Sequence, residues 1–267
     1  MNIEKLKRII QYSDMHRSDI ETKVEKFYTL AEMSNGKEVL NIMQIVRPFF
    51  KERGYLVLEM PFSDREIGAL CYRGDALGYI VLNTSLPKVT VNFALCHELY
   101  HVLFQKSSVK TKVEFASDNY YEHEEEFAAN LFAGMLMMPE AGFSYMYKKF
   151  KKESDGDEKD TLIRLMNYYQ APYMAVLIRC YELGLTDNNS ISEEIMNADQ
   201  ESIRERFVDL WLDSSILEAT KSDDYAHLER AVKRMGDKYI EDAYINERTL
   251  YYVLRNMRKL YAERQGE

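Results

Sequence analysis

The chain has 267 residues, of which 46% are hydrophobic and 30% charged, so it can bury a sizeable core and is not a disordered polyelectrolyte. Its net charge of −9 disfavours broad electrostatic capture of nucleic acid or of an anionic membrane. With 11 Gly and 5 Pro it reads as helices with short connections, not as a linker-dominated or collagen-like chain. The first residues, MNIEKLKRIIQYSD, lack the apolar core of a signal peptide, and no stretch of about 18 apolar residues occurs. Three widely spaced cysteines, Cys71, Cys96 and Cys180, read as reduced, buried thiols. A cytoplasmic protein without a membrane span is expected.

In chain order, residues 3 to 33 place Leu6, Ile9, Ile10, Ile20, Val24, Phe27 and Leu30 at mixed three and four spacing, which predicts one or two amphipathic helices. Asn35-Gly36 marks a turn, and a helix follows from about 38 to 52, kinked or divided at Pro48 and ended by Gly54. The period then changes. YLVLEM (55–60), IGALCYR (67–73) and YIVLN (79–83) predict a small antiparallel sheet that includes a hairpin. Helix returns from about 90 to 105, and the polar stretch QKSSVKTKVEFASDN is expected to be a loop.

A strong helix is predicted over 122–138, stopped by Pro139. Beyond it, helices are expected at about 141–152, 158–169, 172–184, 191–197, 200–220, 224–243 and 246–263. The acidic KKESDGDEKD marks the boundary between a first domain, 1–152, and a helical C-terminal region, 153–267. The fold class is α+β and predominantly helical: a small sheet packed on one central helix, followed by a helical half.

That central helix carries the chemistry. His97-Glu98-Leu99-Tyr100-His101 is an H-E-x-x-H motif. Residues four apart share a helix face about one 5.4 Å turn apart, and two imidazoles so placed reach one metal ion at about 2.0–2.1 Å. Glu98 stands beside the first histidine, where a general base for water is needed. The flanking Phe93, Leu95, Cys96, Val102, Leu103 and Phe104 bury this helix, and buried imidazoles and carboxylates need partners that a metal supplies.

A catalytic zinc site takes a third protein ligand and keeps one position open. The metzincin arrangement is excluded, because Phe104 and Ser107 stand where it needs Gly and His. A glutamate from the next helix is the other common solution, and Glu122, His123, Glu124, Glu125 and Glu126 crowd its start. Glu126 shares a face with Ala129, Asn130 and Ala133, whose small side chains permit close approach, and with Glu122; Glu124 should point to solvent. Most of this acidic run complements the helix N-terminus.

FALCHELYHVLF (93–104), EFAANLFA (126–133) and MLMMP (135–139) together resemble the ImmA/IrrE family of metallopeptidases, whose pattern is an H-E-L-x-H helix followed by E-x-x-A-N-x-F-A-x-x-L-L-M-P. The hairpin with Gly78, Ile80 and Asn83 is similar to the family's strand before the motif helix. The resemblance covers about residues 40 to 185 and is most specific from Phe93 to Pro139. It implies one zinc ion per chain held by His97, His101 and Glu126, with Glu98 as base. Tyr100 stands where the family often has Gly, and Ala128 where many members have a second Glu, which leaves Glu125 as an alternative ligand. Tyr100, Tyr120 and Tyr121 are candidates for stabilising an oxyanion, against a packing role for each.

TLIRLMNYYQAPYMAVLIRCYELGLT (161–186) resembles a helix-turn-helix unit. Its second helix, from Ala171 to Leu185, has Arg179 as its only basic residue, so packing or substrate docking is favoured over reading DNA. The cluster Lys148, Lys149, Lys151 and Lys152 is a solvated face. The family resemblance implies a zinc endopeptidase whose protein substrate is a helix-turn-helix repressor, cleaved to release transcription. The rival class is a DNA- or protein-binding regulator, or a toxin–antitoxin component, whose metal site is structural and closed by a fourth ligand such as His123.

Overall fold

The computed structural model describes residues 3–33, 41–73, 78–105, 111–115, 124–186 and 193–265. The apolar stripe at the N-terminus forms a single helix, α1 (Ile3–Leu30), which buries Leu6, Ile9, Ile10, Ile20, Val24 and Phe27. In α2 (Met43–Glu52) Pro48 is exposed and the helix runs through it without a break, because the carbonyl it leaves unpaired belongs to solvent-exposed Gln44. The predicted turn at Asn35-Gly36 lies outside the described residues.

Four strands follow: β1 (Tyr55–Met60), β2 (Ile67–Arg73), β3 (Gly78–Asn83) and β4 (Thr111–Phe115), ordered β1-β3-β2-β4. The β2–β3 hairpin is antiparallel, as its pattern predicts. The sheet as a whole is mixed, because β1 runs parallel to β3, from Tyr55 opposite Gly78 to Met60 opposite Asn83. Buried Asn83 supplies the reason. Its Oδ1 accepts from Phe62 N (3.1 Å), and its Nδ2 donates to Asp64 O (2.9 Å) and Ile67 O (2.7 Å). The chain leaving β1 is thereby carried over the end of β3 before it enters β2. Gly78 allows the parallel edge to close, since a Cβ there would lie 2.3 Å from the Tyr55 ring. β4 occupies part of the stretch expected to be a loop, and pairs antiparallel with β2.

One face of the sheet packs on α3 (Lys88–Phe104) through Ala69, Cys71, Ile80 and Leu82, inside the main apolar cluster. The other face holds a smaller cluster of Leu58, Phe62, Leu70 and Val81. Alongside α3 lies α4 (Glu124–Met137), which α1 covers on another side. Then come α5 (Glu140–Glu153), α6 (Glu158–Tyr169), α7 (Tyr173–Glu182), α8 (Glu193–Met196) and α9 (Gln200–Asp209). The main cluster draws its members from Leu6 through to Ile216.

The helix expected over 200–220 is shorter. α9 stops at Asp209, Trp211 takes a left-handed backbone (φ 55°), and Asp213 caps a separate 3-10 turn, Ser214–Leu217, by accepting from Ser215 N. Two long helices close the chain, α10 (Tyr225–Glu241) and α11 (Glu247–Gln265). No helix among the described residues is long and apolar enough to cross a membrane.

Within the helix-turn-helix-like pair α6–α7, Gln170 makes the left-handed turn (φ 50°). Arg179, the one base the sequence offered to a nucleic-acid groove, is buried. Its Nε donates to Met138 O (3.1 Å), just past the end of α4, and its Nη1 pairs with Glu182 (3.0 Å). Burial pushes the Glu182 carboxyl up, with Arg179 pulling the other way. α7 is thus a core helix that caps the C-terminus of α4.

Candidate metal centre

α3 is apolar around most of its circumference, and His97, Glu98 and His101 are all buried within it. Helical spacing puts the two imidazoles one turn apart, and their Nε2 atoms approach to 2.9 Å. α4 comes close because Ala129 and Ala133, both fully buried, present almost no side chain between the helices. That approach delivers Glu126, whose Oε2 lies 3.1 Å from His97 Nε2 and 3.7 Å from His101 Nε2. Two nitrogens and one oxygen converge on one point.

Their spacing can be judged against metal geometry. Ligand atoms about 2.0–2.1 Å from a tetrahedral ion sit about 3.3–3.4 Å from each other. The three separations, 2.9, 3.1 and 3.7 Å, bracket that value. The two oxygens of Glu98 make a second test, since both are buried without a hydrogen-bond partner among the described residues. A buried carboxylate of this kind calls for a chemical task or a cationic neighbour. The donor set, two imidazole nitrogens and one carboxylate oxygen with a buried carboxylate beside them, fits a divalent metal ion. Among the described residues the group has three members.

Asn130 is the part of this site that the motif alone did not reveal. Its Oδ1 lies 2.8 Å from His97 Nδ1. With Nε2 turned to the metal position, Nδ1 carries the proton and donates to the amide oxygen, which fixes tautomer and ring angle. The signal was present in the sequence: Asn130 follows Glu126 by four residues and so shares its face.

The remaining sequence candidates fall as follows. Glu125 accepts from Gln105 Nε2 (2.5 Å) at the exposed end of α3, so its carboxylate is engaged away from the histidine pair. Tyr100 is buried among Phe104, Phe132 and the His101 ring, and its hydroxyl accepts from Lys23 Nζ of α1 (3.4 Å). Burial pushes the Cys96 thiol, next to His97, far above its ordinary range, so it offers no thiolate. Tyr120, Tyr121, Glu122 and His123 lie outside the described residues.

A sequence model of the Peptidase_M78 family, described as an IrrE N-terminal-like domain, matches residues 50–181. That span begins at the end of α2 and includes the sheet, α3, α4 and most of α7. The chain matches no curated protein.

Proposed function

Because residues 50–181 make this chain a member of the ImmA/IrrE family of metallopeptidases, we propose that it is a cytoplasmic zinc endopeptidase that cleaves a helix-turn-helix repressor. The observation that carries the catalytic part is the convergence of His97, His101 and Glu126 beside the unpartnered, buried carboxylate of Glu98. The repressor as substrate rests on the family resemblance.

His97 and His101 would hold zinc through Nε2 and Glu126 through a carboxylate oxygen, with Asn130 keeping His97 in the required tautomer. Zinc bound there supplies Lewis-acid polarisation of the scissile carbonyl and makes a water molecule acidic enough to ionise near pH 7. Glu98 accepts the proton of the attacking water and returns it to the departing amine. A catalytic site keeps its fourth position open for water, whereas the rival structural site would close it with a fourth ligand such as His123.

Elemental analysis with a cleavage assay tests the proposal. The wild type should carry about one zinc per chain, and His97→Ala and Glu126→Ala should lose it. Glu98→Gln should keep the metal yet cleave a panel of helix-turn-helix repressors at least about 100-fold more slowly, read by mass spectrometry of the products. A wild type that binds no divalent metal, or a Glu98→Gln variant with full turnover, overturns the assignment.

A further inference from the structure

The α10–α11 hairpin is anchored at its base and bare along one face. Residues 218–224 tie it to the sheet and to the motif helix. Lys88 N, in the first turn of α3, donates to Glu218 O (3.1 Å), Lys221 N to Thr84 O (3.1 Å) and Thr84 Oγ1 to Ser222 O (2.6 Å). Glu59 N donates to Asp224 Oδ2 and Asp224 N to Glu59 O, each at 2.8 Å, along the outer edge of β1. Inside the hairpin Tyr225 stacks on Tyr261 (3.9 Å between centroids), and Arg258 pairs with Glu229. Leu250 packs against Gly236 so closely that a Cβ there would lie 2.2 Å from its Cδ1.

These contacts fix the seam between the two helices. Counted at about 100° per residue, Met235 and Tyr239 of α10 and Val253 and Leu260 of α11 are displaced from it by about 60–100° in the same rotational sense. In an antiparallel pair that puts all four on one side of the hairpin. They are 55%, 44%, 42% and 59% exposed, respectively. Leu228 begins the same row and packs on the outer sheet cluster of Leu58, Phe62, Leu70 and Val81. The opposite side of the hairpin carries Arg230, Lys233, Arg255 and Arg258 together with Asp237, Glu241 and Glu247. Apolar and charged character are therefore segregated onto two faces.

We propose that the apolar face is covered by the same face of a second copy of this chain, the two hairpins closing a four-helix bundle about a two-fold axis. Two helices with an exposed apolar face are half of such a bundle. α10 is 17 residues long, about 26 Å, and the pair is about 20 Å wide. That face offers about 500 Å² per copy, about 1,000 Å² in all, which reaches the lower limit of a specific interface. Pairing apolar face to apolar face turns both charged faces outward, so no like charges meet at the centre of the contact. The rim holds both signs, Lys238 and Asp242 on α10 and Glu263 on α11, as a self-complementary contact requires. Nucleic acid is a poorer fit, since its phosphates would meet an uncharged surface on a chain of net charge −9. The strap at 218–224 would then hold two metal centres at a fixed separation in one assembly.

Sedimentation equilibrium of the full chain across micromolar concentrations tests this. The wild type should be a dimer, and Met235→Glu with Val253→Glu should weaken dimerisation at least about 100-fold through two buried, unpaired charges. Arg255→Glu, on the outer face, should leave the dimer intact. Far-UV circular dichroism and the melting temperature check that the variants fold; if the double variant does not, Leu260→Ser reads the same equilibrium with a milder change. A monomeric wild type overturns the proposal, and so does a folded double variant that still dimerises. A wild type that stays monomeric while binding a DNA duplex or anionic vesicles reassigns the face.

Discussion

Asn130→Leu separates the part of the metal centre that the histidine motif encodes from the part that packing adds. The substitution keeps the branching and heavy-atom count of the side chain and removes the acceptor of His97 Nδ1, at 2.8 Å in the structure. The His97 side chain is only 2% exposed, so water has little room to take the place of the amide oxygen. A buried donor left unsatisfied costs about 1–3 kcal/mol. That corresponds to about 5- to 150-fold in affinity at about 1.4 kcal/mol per decade, and the loss of such an outer partner usually weakens metal binding about 10- to 100-fold. Titration of the apo-protein with zinc against a competing chelator of known affinity measures it. Asn130→Asp retains an acceptor at the same place and should bind zinc at least as tightly as the wild type. Equal affinities for Asn130→Leu and the wild type would refute the reasoning, as would an Asp variant that falls as far as the Leu variant.

Two further predictions concern stability. Arg179→Leu leaves the Glu182 carboxylate buried without its cation, at a cost of about 3–5 kcal/mol, so the melting temperature should fall by about 6–20 °C; Arg179→Leu with Glu182→Leu should recover much of that in a calorimetric scan. Among the described residues the Tyr28 hydroxyl is buried without a hydrogen-bond partner, and burial pushes its pKa up to about 12. Below pH 10 the phenol is protonated in both folded and unfolded chains; from pH 10 to 12 only the unfolded chain ionises, so its contribution to stability is lost as pH rises through that window. Tyr28→Phe should add about 1 kcal/mol at neutral pH and flatten the alkaline decline in urea denaturation; a variant less stable than the wild type would show that the hydroxyl has a partner.

Much of the site was written locally. The spacing of His97 and His101 fixes their common face through helix geometry alone, and burial of that helix follows from Leu95, Cys96, Leu99 and their apolar neighbours. The β2–β3 hairpin and α1, α4, α6 and α7 are likewise periodic patterns that short-range forces decide. β4 escaped because Thr111, Val113 and Phe115 alternate with Lys112 and Glu114 over only five residues inside a polar stretch, too few to mark a strand without β2 beside it. α9 read as longer because the apolar spacing continues past Asp209, whereas the chain breaks at a left-handed Trp211.

What the sequence by itself determined is the candidate ligand pair, the candidate base and the helix that carries them, because each depends on neighbours within about one turn. Only the tertiary structure decided which acidic residue meets the histidines. Glu125 and Glu126 are adjacent and chemically identical, and the choice comes from the rotation of α4 against α3, set by Ala129 and Ala133 at the contact and by Gln105 engaging Glu125. The direction of β1 was settled in the same way, by the buried Asn83 amide that carries the chain across the end of β3. Local patterns state which residues share a face; which faces then meet depends on packing among elements far apart in the chain.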